Sequence, residues 1–169
     1  PSLNSRVRIF EPESHADQKA VDRLWAGMAA DLHDAVVGVR DWGYIQHRYL
    51  HHPERHYRLI LVRSRWTGIP LGLLVLHQEE QRLALTDLVG PIKVVPLLVM
   101  QARRLAGIWG CTSLYTWVSR QHVDRYRTPG MEELDIDVSI PTNSWVAQPY
   151  SPAQLRDRWW LTLGDTDFL

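Results

Sequence analysis

The chain has 169 residues, 45% of them hydrophobic, with 19 basic and 19 acidic side chains and a formal net charge of zero. That balance gives no general attraction to nucleic acid or to an anionic membrane, and no apolar run reaches the ~18 residues that span a bilayer. One cysteine, Cys111, rules out an internal disulfide and suits a reducing, cytoplasmic setting, while the length predicts a single domain over residues 1–169.

In chain order, Val7 to Phe10 reads as a short strand. Glu13 to Asp17 leads into a helix whose apolar positions are Val21, Leu24, Trp25 and Met28. Residues 41–50 form a second helical segment, closed by Pro53. Tyr57 to Val62 is a dense strand, residues 63–68 turn, and Pro70 to His77 returns. Gln78 to Arg82 is a polar turn. Leu83 to Val89 is the next strand, with Asp87 as its polar break, and Gly90-Pro91 punctuates it.

From Val94 to Trp109 apolar residues recur at 94, 97, 98, 102, 105 and 109, which is helical spacing, with Arg103 and Arg104 on the opposite face. Pro96 falls in the first turn, where backbone donors lack intrahelical partners. Gly110 stops the helix where a left-handed residue is commonly needed. Thr112 to Val118 is a β-branched and aromatic strand, so residues 83–89 and 112–118 should be adjacent parallel strands joined by a right-handed crossover. Asp135 to Ile140 reads as a strand, residues 141–158 as a Pro- and Ser-containing excursion, and Trp159 to Leu163 as the closing strand. This order predicts an α/β domain of the α+β kind, with a central mixed sheet and helices on both faces.

The segment from Ser119 through Tyr126 to Gly130 and Met131 resembles the GNAT superfamily of coenzyme A-dependent N-acyltransferases. There the strand after the central helix leads into Asn-x-x-x-x-x-x-Tyr-x-x-x-Gly-Phe. Tyr126 stands four residues before Gly130, Ser119 takes the place of the Asn, and Met131 that of the Phe. The order of elements over residues 6–165 agrees. The family also carries Arg/Gln-x-x-Gly-x-Gly/Ala before the central helix, whose N–H groups hold pyrophosphate. Here that loop is Gly90-Pro91-Ile92-Lys93-Val94-Val95-Pro96, with one glycine and two prolines that have no N–H.

The resemblance implies roles for particular residues. Tyr126 would protonate the leaving thiolate, and Asp87 would accept the amine proton. Main-chain groups at Leu88 and Val89 would bind the pantetheine arm and polarise the thioester carbonyl. Lys93, Val94, Val95 and Ser119 complete the expected cofactor site, with the helix N-terminus and Lys93 facing the phosphates. The poor loop predicts coenzyme A binding on the order of 10–1000 µM. Trp42, Arg48, Tyr49, His51 and Pro53 also resemble a segment of GNAT-like proteins in surface-sugar biosynthesis, and the second helix would border the acceptor pocket.

Other residues carry weaker signals. His47, His51, His52 and His56 lack a His-Glu-x-x-His pattern and a third ligand, so no metal is expected. Cys111 beside a strand reads as a small buried hydrophobe. Asp165 and Asp167 would face a cationic amine or cap the C-terminal turn.

The resulting expectation is an N-acyltransferase that uses acetyl-CoA or another acyl-CoA on a primary amine of a small molecule or sugar. No nucleic-acid or membrane partner is expected. The alternative is a catalytically inactive GNAT-like binding or scaffold domain. The start at Pro1, without Met, suits a piece of a longer parent chain, and a homodimer is left open.

Overall fold

The computed structural model describes residues 5–136, 151–155 and 157–166. Its strands are β1 (Ser5–Ile9), β2 (Val36–Val37), β3 (Arg58–Ser64), β4 (Pro70–Glu79), β5 (Arg82–Val89), β6 (Ser113–Tyr115) and β7 (Trp159–Trp160). Its α-helices are α1 (His15–Asp31), α2 (Trp42–Ile45), α3 (Val95–Ile108) and α4 (Pro152–Leu155). Five strands form one mixed sheet in the order β1-β3-β4-β5-β6, and β2 pairs with β7 in a separate parallel ribbon.

Local chemistry explains most boundaries. Ser14 caps α1 by accepting from the Asp17 N–H. Asp17 is itself fully buried, held by Arg8, by Arg63 at 3.0 Å and by the Glu11 N–H at 3.2 Å. Val21, Leu24 and Met28 form the buried stripe of α1. The turn between β4 and β5 is only Glu80 and Gln81, with Glu80 at φ 50°, so β4 runs two residues past the expected His77.

The meander β3-β4-β5 is antiparallel throughout. Between Val75↔Asp87 and Leu76↔Leu85, β5 carries one extra residue, Thr86. Such a bulge bends a strand and re-aims the side chains around it. The crossover β5-α3-β6 is present and its two strands are parallel neighbours, but β6 is three residues long, not seven. Their pairing ends at Ala84↔Tyr115, and the C-terminal half of β5 parts from the chain that follows β6.

Helix α3 buries Val95, Leu98, Val99, Ala102, Leu105 and Ala106. Its core stripe thus includes Val99 and Ala106 as well as the expected 98, 102 and 105, while Val94 and Leu97 lie at its rim. Gly110, at φ 72°, ends it as expected. Leu73–Leu76 and Leu83–Val89 are buried at every position. Both α1 and α3 pack on β4 and β5.

Two expectations need correction. Residues 159–163 do not close the main sheet: only Trp159–Trp160 are strand, paired with β2, because the C-terminal segment crosses to Val118 by a single bridge at Thr162. Tyr126 ends a 3₁₀ helix (Arg120–Tyr126). Residues 135 and 136 are not strand, and the remainder of the strand expected over 135–140, with most of the excursion after it, lies outside the described residues. Among those residues, no helix is long and apolar enough to cross a membrane.

Gly90 is a packing glycine. A Cβ there would sit 2.9 Å from the Leu71 carbonyl oxygen and 3.2 Å from Gly72 Cα, both backbone atoms that cannot yield cheaply. Gly90→Ala should therefore destabilise the fold by about 1–3 kcal/mol, measured as a lowered urea midpoint with an unchanged slope.

Candidate functional site

The polar centre of the molecule is Asp87, 1% exposed on β5. Its Oδ1 accepts from Arg40 Nε at 3.0 Å, Thr162 Oγ1 at 3.1 Å and its neighbour's N–H, Leu88, at 2.9 Å. Its Oδ2 accepts from Tyr49 Oη at 2.9 Å and shares Arg40 Nε at 3.1 Å. Arg40 is completely buried and continues to the Gly38 carbonyl at 2.8 Å and to Asp165. Asp165 also accepts from the Thr162 N–H at 2.8 Å, closing a capping box at the last 3₁₀ turn (Leu163–Asp165). Asp165 thus both caps the turn and faces a cation, and that cation is Arg40.

Four elements bring these groups together. Asp41 caps α2 through the Tyr44 N–H at 2.9 Å, and α2 runs into a π-helical turn over Gln46–Leu50, sealed by His51 N–H to Gln46 C=O at 3.0 Å. The wider turn places Tyr49 inside and Arg48 beside Thr166, whose carbonyl it reaches at 3.0 Å. Gly164 is required here: any Cβ would run into Tyr49 Oη.

Burial works against the charge on Arg40, but Asp87 and Asp165 outweigh it and its pKa is raised. Burial, then the Asp87 charge, raises the Asp165 pKa against the pull of Arg40. Tyr44 is pushed up to about 12 by burial and by Asp87, and Tyr49 is raised for the same reasons. Arg40, Thr162 and Tyr49 were not legible as site residues in the sequence. The available signal was Asp87 itself: a carboxylate inside a leucine-rich strand demands a cation and hydroxyl donors from elsewhere.

Tyr126 lies close enough for Asp87 to raise its pKa, after burial. Its hydroxyl is buried without a hydrogen-bond partner, as are Trp160 Nε1 and both ring nitrogens of His122. His122 stacks on Trp160 at 4.6 Å and Tyr126 lies 6.3 Å from the same ring. Tyr126 and Asp87 therefore lie in one region of the molecule, without a hydrogen bond between them. Asp87, however, has both oxygens already accepting from protein donors, which a free base would not.

The expected phosphate loop is engaged by the protein itself. Asp31, at the end of α1, accepts from the Ile92 N–H at 2.7 Å. The Val94 N–H donates to the Pro91 carbonyl at 3.0 Å, and the Val95 N–H to Ile92. Lys93 is exposed. Where β5 and β6 part, the Leu85 carbonyl accepts from Thr116 Oγ1 at 2.8 Å, and the Leu88 N–H is held by Asp87. Val89 is buried and paired opposite Leu73. Ser119 faces the C-terminal segment: its Oγ accepts from the Leu161 N–H at 2.8 Å and its own N–H donates to Leu161 at 3.2 Å.

Of the histidines, His47, His51 and His56 are exposed, while His52 is half-buried with Nδ1 accepting from the Glu54 and Arg55 N–H groups. Among the described residues no three His, Cys, Asp or Glu side chains gather as a metal site. Cys111 is half-buried beyond the end of α3. No protein-family model matches the chain, and no curated protein matches it significantly.

Asp165 gives this site a pH signature. Its pKa is above 3.8 in the folded chain and near it in the unfolded one. As pH falls, the folded state takes up this proton first, so this group favours folding increasingly down toward 3.8 and opposes it at neutral pH. In urea melts between neutrality and about pH 4, Asp165→Asn should lose stability on acidification more steeply than the wild type. Parallel pH profiles would remove Asp165 from this role.

Proposed function

We propose that this chain is a binding domain on a GNAT-like sheet that does not hold acyl-coenzyme A in the manner of that family. Likeness to the fold rests on the element order, the antiparallel meander, and the parallel β5-β6 pair that parts after its crossover helix. The observation that carries the functional reading is Asp31, whose carboxylate accepts the Ile92 N–H at the place where a pyrophosphate would sit.

The electrostatics have a definite sign. Two like unit charges ~4 Å apart repel by about 1 kcal/mol in water and about 4 kcal/mol near a protein surface. Asp31 is exposed, so screening places it low in that range, about one to two decades of affinity. The 10–1000 µM expected from sequence assumed an N-terminus with N–H groups at Val94 and Val95 open to an anion. Those groups donate within the turn, which moves the expectation to millimolar or weaker. A cytoplasmic setting belongs with this reading.

A second reading keeps a specific support. Tyr126 holds a buried, unpartnered hydroxyl near Asp87, which suits a group that meets its partner only when a substrate arrives. In that reading the chain transfers an acyl group from acyl-coenzyme A to a primary amine of a small molecule or sugar, and Tyr126 protonates the thiolate.

Calorimetric titration with acetyl-coenzyme A separates the two. The binding-domain reading expects no saturable heat up to about 1 mM. It also expects Asp31→Asn to strengthen any residual binding roughly tenfold. Tight wild-type binding, or turnover with an amine, would overturn it. Tyr126→Phe supplies an independent check. Removing an unpartnered buried hydroxyl should leave stability unchanged or raise it by about 1 kcal/mol. Under the transferase reading the same change lowers kcat by about 10²–10⁴-fold.

A further inference from the structure

The turn that joins β3 to β4, residues 65–69, holds two large apolar side chains in water: Trp66 is 77% exposed and Ile69 60%. Tryptophan is highly buried on average, so an indole held outside the core at a turn calls for a physical reason. We propose that this turn is a membrane-facing tip, which places Trp66 and Ile69 in the interface of an anionic lipid bilayer while Arg6 and Arg65 meet the headgroups.

The turn supplies partners for its own backbone. The Ser64 N–H donates to the Ile69 carbonyl at 2.8 Å, and the Gly68 N–H to the Ser64 carbonyl at 3.0 Å. Ser64 Oγ accepts the Thr67 N–H and Thr67 Oγ1 accepts the Ile69 N–H, each at 3.3 Å. Arg63 Nη1 donates to the Gly68 carbonyl at 2.9 Å. Gly68 sits at φ 70°, where a glycine is favoured. Backbone groups that already have partners can approach lipid at little cost. The turn therefore presents side chains to its surroundings.

Charge says what those side chains meet. Between Glu54 and Glu79 the sequence has no Asp or Glu. The β1–β3 register sets Arg6 opposite Arg63, and Arg6 Nη2 lies 3.4 Å from where a Cβ on Gly68 would stand. The Arg65 guanidinium lies 5.9 Å from the centre of the Trp66 ring. Asp17 and Glu11 also belong to this corner, but Arg8 and Arg63 match them. Among the described residues neither Arg6 nor Arg65 has a carboxylate partner. Two positive charges thus stay open beside the exposed indole, although the chain as a whole is neutral. Tryptophan suits the headgroup level, because its ring is apolar and its N–H polar. Arginine stems lie along apolar surface while their charged ends stay in water, and anionic headgroups complement them.

This inference does not depend on whether the chain holds acyl-coenzyme A. The full chain should be floated with vesicles of phosphatidylcholine alone and with vesicles that contain roughly 30% phosphatidylserine, whose surface is negative. Binding to the anionic vesicles is expected at about 10³ M⁻¹, below the ~10⁴ M⁻¹ of a single myristoyl chain, because two side chains insert less apolar surface. Neutral vesicles should bind roughly 30-fold more weakly, about fivefold for each arginine. Salt at about 0.5 M should remove that preference. Arg6→Ala and Arg65→Ala should each lower anionic binding about fivefold, while Arg65→Lys, which keeps the charge, should preserve it. Trp66→Ala should lower it about tenfold and leave the melting temperature unchanged, since the ring is exposed. No flotation at about 5 mM anionic lipid, several times the expected midpoint, overturns the proposal. So does equal binding to neutral vesicles, or binding that Trp66→Ala leaves intact. Self-association that Trp66→Ala abolishes, without vesicle binding, would assign the tip to a second copy of the chain and likewise overturn it.

Discussion

A carboxylate in the middle of a leucine-rich strand cannot keep its charge without donors, because removing it from water costs several kcal/mol that only close partners return. Asp87 meets that condition by drawing Arg40, Tyr49 and Thr162 onto β5 from three separate stretches of chain. Much of the surrounding architecture answers to this demand. The π turn at Gln46–Leu50 orients Tyr49, Gly164 leaves room for its hydroxyl, and the capping box of Thr162 and Asp165 fixes the C-terminal turn against Arg40. Breaking one partner of such a buried set is expected to cost far more than replacing the whole set by apolar groups.

The parting of β5 from the chain after β6 creates an edge whose backbone groups need partners. In this molecule the chain supplies them. Thr116 covers the Leu85 carbonyl, Asp87 holds the Leu88 N–H, and Ser119 with Val118 receives the returning segment at Leu161 and Thr162. The same logic governs the start of α3. Pro91 and Pro96 remove donors, Val94 and Val95 use theirs within the turn, and Asp31 takes the one at Ile92. At both places the chain's own groups take up these backbone donors and acceptors.

What the sequence by itself determined was local and periodic. The 3.6-residue spacing of 94–109, the dense apolar runs at 57–62, 70–77 and 83–89, and the glycine at 110 placed α3, the meander and the parallel crossover, because burial of one helix face writes a period into the chain and burial of both strand faces writes an unbroken apolar run. Asp87 and Tyr126 stood out because a polar group in an apolar strand and a motif tyrosine are visible one residue at a time. Tertiary structure alone decided which groups meet them. Arg40, Thr162 and Asp31 lie 47, 75 and 61 residues from their partners, and no spacing rule links such distances. The path of the C-terminal segment was likewise undecidable locally, since Trp159–Leu163 has strand chemistry whichever edge it joins. Its edge was set by the need to bring Thr162 and Asp165 to a buried arginine, a requirement that exists only once the sheet has formed.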